Sequence, residues 1–153
     1  MYNKFIGTFL VLTTLGCFVS SIVEANDMLD AADVEIGEDL SMACTACHSF
    51  VKDDPTPVKV VTSISDVVYI GPNLYGVYKR KIGTAEDYAY SDALVKEKEA
   101  GRVWTVDKLD EWIKSPMTFV KGTYMPFNGL LDPQDRADVI AYLMTLKDTG
   151  KKL

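Results

Sequence analysis

Five consecutive residues, Cys44-Thr45-Ala46-Cys47-His48, constrain this chain more than any other feature. In a helix, positions 44, 47 and 48 lie one turn apart on a single face, so two thiols and an imidazole point at the same object. CxxCH is the attachment spacing of c-type haem: the thiols become thioethers to the porphyrin edge and the histidine ligates the iron. The spacing is short because all three bonds go to one rigid, flat ligand. A zinc site would need a second Cys or His pair, but His48 is the only histidine and the third cysteine, Cys17, sits far upstream in an apolar run. A dithiol oxidoreductase motif would follow a strand in a βαβ pattern, and none precedes Cys44. The motif therefore predicts one covalently bound haem c, with its iron, per chain.

With 153 residues, the chain has room for one domain. Lys and Arg number 16 against 22 Asp and Glu, and no basic cluster could track a phosphate backbone, so a nucleic-acid partner is excluded. The first 25 residues differ from the rest. Lys4 precedes an uncharged, mostly apolar run from Phe5 to Val19, and Val23-Glu24-Ala25 places small or branched residues where a signal peptidase reads. This predicts a signal peptide over 1–25, a monohaem domain over 26–153, and a periplasmic location. The alternative is an uncleaved anchor in the inner membrane facing the periplasm, the only way this chain would meet a membrane. The segment lacks arginine, which argues against a mitochondrial transit peptide.

In the mature part the pattern is helical from Asp33, a candidate cap, with Ile36, Leu40, Ala43 and Cys47 as its apolar stripe. Gly37, inside this helix, costs about 1 kcal/mol against alanine unless another helix crosses closely there. Turn chemistry follows at Asp53 to Pro57, then a β-branched stretch from Val58 to Ile70 that suggests a hairpin or an extended flap. Gly71-Pro72-Asn73 marks a tight loop. Further helices are predicted from a Ser91 cap to about Ala100, from a Thr105 cap to before Pro116, and from Asp132-Pro133 to near Asp148.

A single histidine leaves the sixth iron position to methionine, lysine, solvent or vacancy. Met42 shares the proximal helix, Met144 falls in the last helix, and Met28 precedes the expected folded region. Met117 and Met125 remain, and Met125 lies in the apolar loop Lys121 to Gly129, far enough along the chain to wrap to the other haem face. Met125 is therefore the expected second ligand, since a His/Met pair suits an electron carrier.

With CTACH, GPNLYGV, GTYMPF and DVIAYL in this order, the chain resembles a class I cytochrome c of the mitochondrial type, in its soluble bacterial branch. The similarity runs from about Asp33 to Lys147. It implies an all-α cytochrome c fold, three to five helices wrapped around the haem, with an insertion from Ser49 to Ile70. It also implies that Cys44 and Cys47 carry the haem, that His48 and Met125 ligate its iron, and that the Pro72 carbonyl accepts the His48 N–H. Leu74 would pack on the haem. Arg80, Tyr90, Trp104 and Thr123 would surround its propionates, and Phe127 would stand beside its exposed edge. Gly37 and Tyr142 match a close crossing of the first and last helices. The chain departs from the pattern at Trp112, where a tyrosine is common, and at Leu94, where an asparagine often holds water. Ala43 and Tyr124 replace two of the lysines that ring the haem edge in mitochondrial relatives.

The function implied is a one-electron shuttle, monomeric and not an enzyme, between redox proteins of a respiratory or photosynthetic chain. Partners of this kind are a cytochrome bc1-type complex, a terminal oxidase or a periplasmic dehydrogenase. The alternative is a dedicated acceptor, or a membrane-tethered subunit, of one dehydrogenase or oxidase complex. A peroxidase or ligand sensor would need an open sixth site.

Overall fold

The structure, a computed structural model, describes residues 25–53, 70–86 and 88–147. The expected signal segment lies outside them apart from Ala25, as does the β-branched stretch 58–70 apart from Ile70. The described elements are α1 (Ala25–Asp30), α2 (Val34–Ser41), a 3-10 turn (Met42–Ala46), α3 (Asp92–Glu99), α4 (Val106–Lys114), α5 (Pro116–Phe119) and α6 (Pro133–Thr145). Among the described residues the extended pairing is one isolated antiparallel bridge, Lys81 to Val103. The fold is all-α, as the motifs imply, with two short helices besides the four placed from the sequence. One is α1, whose Leu29 packs on the core and brings Met28 inside the folded domain. The other is α5, where Pro116 does more than end α4: its fixed φ suits the first position of a new turn.

The caps follow the sequence closely. Asp33 accepts the N–H groups of Glu35 and Ile36 at 2.8 and 3.2 Å, and Asp132 those of Gln134 and Asp135 at 2.8 and 3.4 Å. Ser91 and Thr105 each accept one, from Leu94 and Lys108. Helices α2, α3, α4 and α6 thus begin where a short polar side chain satisfies an otherwise unpaired donor.

The central packing is α2 against α6. The fully buried face of α2 is Gly37 and Ser41; of the expected stripe, Leu40 packs half-buried on the core and Ala43 and Cys47 line the cavity, but Ile36 is 49% exposed. The reason is distance. A β-carbon at 37 would strike the Asp138 backbone carbonyl and come within 3.1 Å of the Tyr142 Cβ, so at this crossing only small residues fit. Asp138, itself buried, reaches back to accept the Asp33 N–H at 2.9 Å, tying the start of α2 to α6.

The helix expected to run through His48 ends at Ser41 and tightens into the 3-10 turn. The Thr45 hydroxyl donates to the Met42 carbonyl at 2.7 Å, taking an acceptor the helical ladder would use. The N–H groups of Cys47 and His48 both reach the Cys44 carbonyl, at 3.0 and 2.9 Å. The three motif residues stay within one turn while the backbone leaves the helix at Cys47.

Candidate functional site

His48 is buried, and its Nδ1 lies 2.7 Å from the Pro72 carbonyl oxygen. A carbonyl can only accept, so Nδ1 carries the proton and Nε2 keeps a lone pair for a metal. Gly71 makes this approach possible: a β-carbon there would collide with the imidazole, and the Gly71 N–H donates to the Cys47 carbonyl at 2.8 Å. Burial lowers the His48 pKa; the Pro72 hydrogen bond opposes this and the Arg80 charge adds to it. The ring is therefore neutral at neutral pH, the form that ligates. Cys44 and Cys47 are half-buried thiols, not joined to each other. Burial, then the neighbouring Cys47, pushes the Cys44 pKa up, which favours the uncharged thiol before haem is attached.

Both thiols and the imidazole face one cavity of about 430 Å³. Its floor and walls are largely apolar, from Leu94, Leu109, Ile113, Val139 and Leu143, with Trp104 and Trp112 packed at 5.3 Å between centroids and tilted 59° to each other. Every site residue singled out in the sequence lines it: Cys44, Cys47, His48, Pro72, Leu74, Arg80, Tyr90, Trp104, Thr123, Met125 and Phe127. Trp104 is positioned by extended pairing, its N–H on the Arg80 carbonyl and its carbonyl on the Lys79 N–H, each at 2.9 Å. Arg80 donates to the carbonyls of Tyr75 and Asn73 at 3.1 and 2.8 Å, which commits two of five N–H groups. The Tyr90 hydroxyl accepts the Ala85 N–H at 3.1 Å, and its own proton remains to be donated.

Met125 enters the cavity from the loop between α5 and α6, its N–H on the Thr123 hydroxyl at 3.3 Å. Among the described residues no other methionine lines this space. Met42 and Met117 are 64% and 52% exposed, Met144 packs on the core, and Met28 lines a separate small cavity.

Two contributors escape a reading by residue type. Tyr88 lines the cavity, donates its hydroxyl to the Ile70 carbonyl at 3.0 Å and packs edge-on against Tyr90. The other is Gly71. The faint signals were the i, i+2 tyrosines in an extended segment and a glycine directly before Pro72.

The donor set fits one flat apolar group that contains a metal. Two thiols suit covalent attachment, a neutral imidazole and a thioether suit iron, and a guanidinium at the wall suits an anionic edge. Among the described residues no three His, Cys, Asp or Glu side chains converge where a bare ion could sit. The sequence profile of the cytochrome c family matches residues 34–147. The chain belongs to the cytochrome c family. It is an electron-transfer protein, not an enzyme, and carries haem c covalently through the CxxCH motif. Cytochrome c of Trypanosoma brucei brucei is 51% identical over 79 residues, 52% of this chain and 82% of the relative. Cytochrome c2 of Rhodopila globiformis is 50% identical over 104 residues, 68% of this chain and 83% of that one. Among solved structures, cytochrome cH from Methylobacterium extorquens superposes with a TM-score of 0.59 at 37% identity, covering 74% of this chain and 99% of its own.

Proposed function

We propose that this cytochrome is exported to the periplasm and shuttles single electrons between respiratory or photosynthetic partners, and that His48 Nε2 and Met125 Sδ are the two atoms that would ligate the haem iron. When bound, the haem supplies a one-electron change at its iron. The chain supplies the rest. The Pro72 carbonyl holds the imidazole in one tautomer and raises its basicity. The thioether is a neutral, soft donor that favours the reduced state. The apolar walls exclude water, which limits the rearrangement that accompanies a change of charge. Arg80, Tyr90, Trp104 and Thr123 offer charge or hydrogen bonds to the propionates, Leu74 packs on the macrocycle, and Phe127 borders the edge through which partners exchange electrons.

The observation that carries this reading is Met125 lining the same cavity as the chain's only histidine. The test is a visible spectrum of M125A holoprotein. Loss of the methionine-to-iron charge-transfer band and ready carbon monoxide binding at neutral pH are the expected results; an unchanged spectrum overturns the ligand assignment. The partners in this reading are a cytochrome bc1-type complex and a terminal oxidase or periplasmic dehydrogenase, met as a monomer. Export rests on the charged start and apolar run of residues 1–25. A mature N-terminus after Ala25 supports it, whereas retention of the run favours a tethered subunit of one complex.

A further inference from the structure

We infer that Arg136, together with Asp110, positions the Met125 loop over the haem cavity; the inference rests on Met125 being the second iron ligand. Arg136 lies in α6 with its side chain 6% exposed. Its Nε donates to Asp110 Oδ1 at 2.7 Å, and its Nη1 donates to the carbonyls of Leu130 and Leu131 at 3.0 and 2.9 Å. One planar cation therefore joins α6, α4 and the downstream end of the loop.

That end is where the loop needs holding. Upstream, Met125 is secured by its N–H on Thr123, and Pro126 has no N–H to give. Tyr124 is 70% exposed. Among the described residues the next backbone anchor is the Leu130 N–H on the Ile113 carbonyl at 3.0 Å. Gly129 lies directly against the Lys114 carbonyl, too close for a β-carbon. Met125 and Phe127 thus hang between two attachments, and Arg136 doubles the second.

Asp110 shares α4 with Leu109, Trp112 and Ile113, which line the cavity. The ion pair consequently sets the loop relative to the cavity wall as well as to α6. A hydrophobic side chain could fill this space without the desolvation cost of a cation. What it could not do is bind a carboxylate and two successive carbonyls at once, which the guanidinium fork does.

The test uses holoprotein with the substitutions R136M, R136K and D110A, and I82A as a destabilised control outside the cavity lining. Ile82 is fully buried and does not line the cavity. In R136M and D110A the methionine-to-iron band is expected to vanish at a denaturant concentration well below global unfolding. Carbon monoxide binding to the reduced protein should accelerate by about tenfold or more, because the fraction with the loop displaced governs access. R136K should recover part of both, since an ammonium can meet Asp110 but not the full set of acceptors. I82A should lower the global midpoint and leave both readouts in place. The inference is overturned if R136M and D110A lower only the global midpoint, or if I82A moves the band and binding rate equally. Should R136M not accumulate, D110A decides. Failure of the Met125 assignment itself is distinct: the wild-type protein would then lack the band, and M125A would leave the spectrum unchanged.

Discussion

The backbone carbonyl of Asp138 occupies the space where a side chain at position 37 would begin. Gly37 is therefore the contact that lets α2 lie on α6, and α2 leads directly into the turn that presents Cys44, Cys47 and His48.

Replacing Gly37 by alanine tests that crossing. Helix propensity would return about 1 kcal/mol, but the β-carbon meets backbone, which cannot rotate away. Overpacking of this kind costs about 3 kcal/mol or more where the neighbour cannot move. G37A is expected to lower the unfolding free energy of the holoprotein by at least the difference, about 2 kcal/mol, read as a lower denaturation midpoint at unchanged slope. A neutral or stabilising result would mean the helices can separate freely.

The sequence announced where helices start more reliably than which faces they bury. Asp33, Ser91, Thr105 and Asp132 all cap as read, because capping is local chemistry. On α2 the periodicity found Leu40 but favoured Ile36 over Gly37 and Ser41, because it weights large residues, whereas a close crossing buries glycine and serine. The site residues were legible through motif spacing, since one rigid ligand fixes where its attachments fall. Tyr88, the ring clearance at Gly71 and the Arg136 fork were not, because each depends on residues far along the chain.

Ser41 offers a second measurement. Its hydroxyl is buried at the same crossing and has no hydrogen-bond partner among the described residues. An unpaired buried hydroxyl costs about 1–3 kcal/mol, and alanine is the better helix former. Allowing for the small void left, S41A should gain about 1 kcal/mol, seen as a higher midpoint at unchanged slope. A loss instead would show that the hydroxyl is satisfied in solution.

Gly71 governs the proximal side. A β-carbon there would sit 2.6 Å from His48 Nδ1 and 2.9 Å from Nε2, so the ring must move away from the Pro72 carbonyl. Losing that hydrogen bond makes the imidazole a weaker donor and disfavours the oxidised iron. One hydrogen bond of about 1 kcal/mol corresponds to on the order of 40 mV for one electron. G71A should accordingly raise the reduction potential by that order. An unchanged potential with an intact spectrum would remove Pro72 from the tuning of the site.

Withholding the haem gives the largest predicted effect. Seven buried core residues, Val77, Leu94, Trp104, Leu109, Ile113, Val139 and Leu143, face the cavity, so the core is built around whatever fills it. At about 24 cal/mol per Å³ of void, leaving 430 Å³ empty would cost about 10 kcal/mol. That is the size of the whole stability of a domain like this, about 5–15 kcal/mol. The protein with both Cys44 and Cys47 changed to alanine, made without haem, should therefore lose most of its far-ultraviolet helical signal and its cooperative unfolding. Supplying haem should restore helix in proportion to binding, because a ligand that fills the folded state alone shifts the equilibrium toward it. A haem-free chain with full helicity and a sharp transition would instead mean that α2, α4 and α6 close on one another and the cavity collapses.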